Sequence, residues 1–64
     1  MPPKWTGNVV KKMFLNNITR KEVANELGIT VQCLSYWFRG ERTPKYAEEK
    51  VNDAIDSILA KRKS

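Results

Sequence analysis

The sequence has no histidine and only one cysteine, Cys33. A lone cysteine excludes an internal disulfide. One thiol without histidine cannot complete a zinc site. The commonest general base is therefore missing, and the three glycines form no phosphate-cradling loop. These absences argue against an enzyme, and no cofactor or metal is expected. No window approaches the ~20 apolar residues of a membrane span. The start, MPPKWTGNVVKK, lacks the apolar run of a secretory signal. A free cysteine in a disulfide-free chain fits a reducing cytoplasm. No repeat, low-complexity segment or alternating strand pattern with a hairpin turn occurs, so the chain reads as all-α.

At 64 residues the chain is one domain, 1–64. Such a chain buries only about 60% of its unfolded surface. Its stability must come from apolar packing, with dimerisation as a further source. Charge gives the first functional direction: 12 basic against 7 acidic side chains, a net of +5. The excess is uneven. Residues 1–45 hold eight basic and three acidic side chains, whereas residues 46–64 hold four of each. A basic half suits a polyanion; the alternative is a solvated basic surface with no partner.

Residues 1–5 read as a flexible arm that closes at Trp5, with Lys4 within reach of a polyanion. Thr6 is placed to cap a helix whose apolar face is Val9, Val10, Met13 and Phe14. Asn16-Asn17 is a plausible stop. Thr19-Arg20-Lys21-Glu22 has the form of a capping box. The helix it starts carries Val23, Ala24 and Leu27 and ends at Gly28. Ile29 plugs the corner, and Thr30 caps a third helix that carries Leu34, Trp37 and Phe38 inward and ends at Gly40. Thr43 and Pro44 read as cap and first residue of a last helix, 44–62. Its stripe is Ala47, Val51, Ala54, Ile55, Ile58 and Leu59, and Lys61-Arg62-Lys63 complements its dipole.

The central stretch has a specific spacing. Counting from Arg20, Val23 stands at place 4, Ala24 at 5, Leu27 at 8, Gly28 at 9, Ile29 at 10, Leu34 at 15 and Trp37 at 18. Ala24 is small where a second helix crosses closely, and Gly28 turns the chain sharply. This pattern over residues 19–40 resembles the helix-turn-helix of the Cro/CI-type (Xre-like) repressors of bacteria and their phages. The following FRGERTP resembles the loop after the recognition helix in lambda-type repressors. The resemblance covers about residues 6–60. It implies a compact all-α, lambda-repressor-like domain of four helices, or five. A shorter likeness, Trp37-Phe38-Arg39-Gly40-Glu41-Arg42 to the W-F-x-N-x-R of homeodomains, fails at Gly40, where the base-reading asparagine belongs.

The resemblance implies a small transcriptional regulator, a repressor, with residues 31–39 in the major groove of double-stranded DNA. Carried over by position, the base-reading residues are Val31, Gln32, Ser35 and Tyr36. A glutamine can bond an adenine edge in a bidentate way, worth about 1–3 kcal/mol of discrimination. Val31 stands where these repressors often have glutamine; it can pack on a thymine methyl but cannot hydrogen-bond a base. The phosphate-binding residues implied are Thr19, Arg20, Thr30, Arg39, Arg42 and Lys45. Lys11, Lys12 and Lys21 are either solvated charges or further phosphate contacts. A homodimer on a pseudo-palindromic operator is implied. The stripe Val51, Ile55, Ile58 and Leu59 is either all core or, distally, a dimer contact. The competing functions are a protein-interaction or antitoxin-like module, and an excision or architectural DNA-binding factor on the same fold.

Overall fold

The computed structural model describes residues 3–63. Helix α1 spans Lys4–Leu15, α2 Arg20–Leu27, α3 Val31–Arg39 and α4 Ala47–Lys63. The all-α, four-helix expectation holds, and the described residues include no strand.

The first three helices stop in the same way. Each ends beside a residue in the left-handed region: Asn17 (φ 55°), Gly28 (φ 73°) and Gly40 (φ 78°). In each case the next N–H reaches back five residues. Ile18 donates to the Met13 carbonyl (2.8 Å), Ile29 to Ala24 (2.9 Å) and Glu41 to Tyr36 (3.0 Å). These bonds satisfy carbonyls that a helix end leaves open, and the left-handed residue lets the chain fold back sharply enough to make them. Starts are equally local. The Thr19 hydroxyl accepts from the Glu22 N–H (3.2 Å) while the Thr19 N–H donates to the Glu22 carboxylate (3.0 Å), so the expected capping box is complete. Thr30 accepts from the Cys33 N–H at 3.0 Å.

Helix α4 is the spine. It packs along α2 and against α1, while α3 leans on α2. The core is Val9 and Met13 of α1, Ile18, Val23 and Ala24, Leu34, Trp37 and Phe38, and Ala47, Val51, Ala54, Ile55 and Ile58 of α4. Trp5 meets Phe38 edge-on at 6.0 Å between centroids.

Five sequence expectations need correction. Helix α1 begins at Lys4, with extended Pro3 before it, so Lys4 and Trp5 are not part of an arm; Met1 and Pro2 lie outside the described residues. Trp5 docks on Phe38 and brings the first turn with it. Thr6 therefore sits inside the helix, and its hydroxyl donates to the Phe38 carbonyl (2.8 Å) instead of capping. Only Val9 and Met13 of the expected α1 face are buried; Phe14 is 80% exposed and Val10 38%. Helix α4 starts at Ala47, not Pro44, because the Thr43 hydroxyl donates to the Trp37 carbonyl (3.1 Å) and Pro44 opens a turn closed by Ala47. Finally, Val51, Ile55 and Ile58 are core, exposed by 0%, 0% and 7%. They cannot also form a dimer surface, and Leu59 is half-buried against the same core.

Side-chain bonds fasten α4 to α2 where the two helices meet. Lys61 Nζ lies 2.8 Å from the Glu26 carboxylate, which also accepts from the Ser57 hydroxyl. Arg62 donates to Glu22 (2.9 Å) and to the carbonyls of Asn16 (2.6 Å) and Asn17 (3.0 Å). The hydrogen bond from the Thr19 N–H, with help from Arg62, holds the Glu22 carboxyl below its ordinary 4.5. Lys61 and then Ser57 do the same for Glu26.

Two outcomes are expected. Ile55→Ala should cost about 2–5 kcal/mol, lowering the melting temperature by roughly 10–40 °C in a domain of this size. Phe14→Gln should move it by only a few degrees in a dilute sample followed by circular dichroism. The second outcome concerns acid. Folding lowers both carboxyl pKa values, so the unfolded chain binds more protons. The associated stability is present above pH 4.5 and is lost as pH falls through the lowered native values. The melting temperature should hold steady near neutrality and drop in acid, and Glu22→Gln with Glu26→Gln should make that drop shallower.

Candidate nucleic-acid interface

Helix α3 is two-sided because its residues alternate at helical spacing. Leu34, Trp37 and Phe38 turn inward, while Val31, Gln32, Ser35, Tyr36 and Arg39 fall on the other side. Gly28 swings the chain off α2, half-buried Ile29 pins the corner, and Thr30 opens α3. Val31 is 42% exposed and Gln32 is exposed, so the first turn of α3 projects two unburied side chains. Ser35 and Tyr36, one turn on, are half-buried.

Tyr36 is the hub of this edge. Gln32 Nε2 donates to the Tyr36 hydroxyl at 3.3 Å. The guanidinium carbons of Arg39 and Arg42 lie 5.1 and 5.2 Å from the Tyr36 ring centroid, within cation–π range. Arg39 also pairs with Glu41 at 3.5 Å. Gln32, Tyr36, Arg39 and Arg42 therefore form one connected group. It unites two expected base-readers with two expected phosphate contacts. A shallow depression beside it is lined by Thr30, Gln32, Cys33, Tyr36 and Arg42.

The other expected contacts are differently occupied. Arg20 donates through Nη1 to the Ser35 hydroxyl (3.2 Å), and its guanidinium lies 5.1 Å from the Phe38 ring centroid. It ties the start of α2 to the middle of α3. The Thr19 N–H and hydroxyl are both engaged with Glu22. The open donors of the first turn of α2 are thus the N–H groups of Arg20 and Lys21. Thr30 is exposed beside its capping bond. Lys45 is exposed, with Nζ 5.6 Å from the Tyr46 ring centroid.

Sequence reasoning missed three positioning residues. Thr6 and Thr43 bind the Phe38 and Trp37 carbonyls and so fasten the end of α3 from two directions. Arg62 closes the end of α1 across 45 and 46 residues of chain. Only Thr43 lay close enough in sequence to suggest its role.

The electrostatics follow from these pairings. Glu22 and Glu26, the acids of α2, are both bound by cations of α4. Among the described residues, Arg20, Lys21, Arg42 and Lys45 have no carboxylate partner. The corner therefore carries uncompensated positive charge next to the exposed edge of α3.

Two short helices joined at a left-handed glycine, with a solvent-facing second helix and unpaired cations around it, define a helix-turn-helix domain. A protein-family model described as "Helix-turn-helix" matches residues 11–48. That span is more than half of the chain, and the chain belongs to the Cro/CI-type (Xre) helix-turn-helix family. Comparison with curated proteins and with solved structures returned no significant match. Membership implies DNA as the partner. Among the described residues no helix is long and apolar enough to cross a membrane.

Arg20 separates fold from contact. Arg20→Ala removes a hydrogen bond and a cation–π contact and should lower stability by about 1 kcal/mol in chemical denaturation. Lys21→Ala, an exposed lysine with no carboxylate partner, should stay within about 0.5 kcal/mol.

Proposed function

We propose that the chain binds double-stranded DNA sequence-specifically as a small transcriptional regulator, acting as a repressor in the bacterial cytoplasm. Helix α3 enters the major groove with its N-terminal turn at the base edges. Gln32 supplies the directional contact to an adenine edge, and Val31 beside it covers a thymine methyl. Tyr36 and Ser35 face the groove wall one turn further on. Arg39, Arg42 and Lys45 hold phosphates on one side. The open N–H groups at the start of α2, with Thr19 and Arg20, hold a phosphate on the other, and Thr30 stands at the mouth of the groove. Two copies occupy a pseudo-palindrome with half-sites about one helical turn apart.

The observation that carries this reading is the connected group at Tyr36. An exposed glutamine leans on a tyrosine that two arginines flank. This array offers hydrogen bonding to a base and charge to the backbone from one rigid patch. Uncompensated positive charge beside an exposed glutamine suits a phosphate backbone with base edges between its strands. An architectural or excision factor would differ in acting by bending the duplex rather than by blocking a promoter.

The test is a titration of the full chain with selected and random duplexes. Gln32→Ala should weaken the selected site by about 5- to 150-fold, the equivalent of ~1–3 kcal/mol, and barely change random binding. Arg42→Ala should weaken both alike and reduce the salt slope by about one. Equal effects of the two changes on every sequence would remove Gln32 as the reader. Absence of salt-dependent binding near ~50 mM salt would favour a protein partner.

A further inference from the structure

Helix α1 carries a face that the core leaves largely open. Gly7 lies inside the helix with no positive φ, and a Cβ built on it would meet nothing within 4 Å. Neither backbone geometry nor internal packing calls for glycine there, and glycine costs a helix stability relative to alanine. Val10 follows at i+3 and Phe14 at i+7, so the three residues line one side of α1. Val10 is 38% exposed and Phe14 80%. Val9 and Met13, on the neighbouring side, make the core contact. Leu15, 67% exposed, borders the same face about 100° further round.

We infer that this face of α1 binds the same face of a second copy of the chain in an antiparallel pair. The pattern is self-complementary. Gly7 and Phe14 lie equally far on either side of the midpoint between Val10 and Lys11. A two-fold axis through that midpoint sets each Phe14 ring into the hollow at the other copy's Gly7, with the two Val10 side chains in contact between them. A face of this kind closes as a pair and does not propagate.

The area agrees with a modest dimer. With side chains of this size worth about 150–200 Å² each when covered, Val10, Phe14 and Leu15 leave roughly 300 Å² of apolar surface per copy. Doubled, that is the non-polar share of an interface of about 1,100 Å², at the lower edge of specific association. The two Lys11 side chains flank the axis, so their repulsion is relieved by salt. Self-association therefore strengthens with salt, opposite to DNA binding. The inference stands apart from the DNA reading, because its test contains no DNA.

The experiment is analytical ultracentrifugation of the full chain from micromolar concentrations up to about 1 mM, the range in which an interface of this size registers. Wild type should show a reversible monomer–dimer equilibrium. Gly7→Phe sets ring against ring, and Phe14→Ala leaves the hollow empty. Each alone should weaken self-association by about ten-fold or more. An equimolar mixture of the two should regain a dimer, because the phenylalanine introduced at position 7 then faces the alanine introduced at position 14. Both positions are exposed, and circular dichroism at low concentration confirms that each variant is folded. A wild type that stays monomeric overturns the inference. So does a dimer indifferent to both substitutions, or a mixture of folded variants that associates no better than its components.

Discussion

Helix α2 is the constraint on which the domain depends. Eight residues are too few for an isolated helix to persist in water. It exists because α4 packs along it and α3 leans against it. Val23 and Ala24 are almost wholly buried in that contact. The capping box begins it, Gly28 ends it, and Lys61 and Arg62 grip its two glutamates from α4. Where α2 stands decides where α3 points. The orientation of the exposed edge is therefore a property of the whole core rather than of the helix-turn-helix alone.

The same pairings arrange charge. Glu22 and Glu26 would otherwise leave two unpaired carboxylates on α2 of the helix-turn-helix. Lys61 and Arg62 of the charge-neutral half bind them and leave Arg20, Lys21, Arg42 and Lys45 uncompensated. These exposed pairs contribute little energy each. Their larger effect is on the field around α3, which is what a phosphate backbone senses at a distance.

Rigidity at the exposed edge of α3 comes from side-chain bonds that fix its middle and its end. Thr6 and Thr43 close the carbonyls of Phe38 and Trp37, and Arg20 ties Ser35 to α2. Tyr36 then holds Gln32 in place from within α3. A side chain already held in one arrangement loses less entropy on binding. Phe14, in contrast, leaves its apolar ring in solvent.

The sequence by itself determined what is local. The capping box, left-handed glycines and the spacing of Val23, Ala24, Gly28, Leu34 and Trp37 act over three to fourteen residues, so they could be read directly. They set three helix ends, the corner and the outward residues of α3. Tertiary structure decided what depends on distant partners. Thr6 and Thr43 have the chemistry of caps, yet each donates to a carbonyl of α3, because packing brought that carbonyl nearer than a free N–H. Phe14 matches the helical period but faces away, since α4 covers only the side of α1 that bears Val9 and Met13. The stripe of α4 looked long enough to spare residues for a dimer, but Val51, Ile55 and Ile58 are all buried in the single core. Period tells which residues share a face; only the assembled core tells which faces are covered.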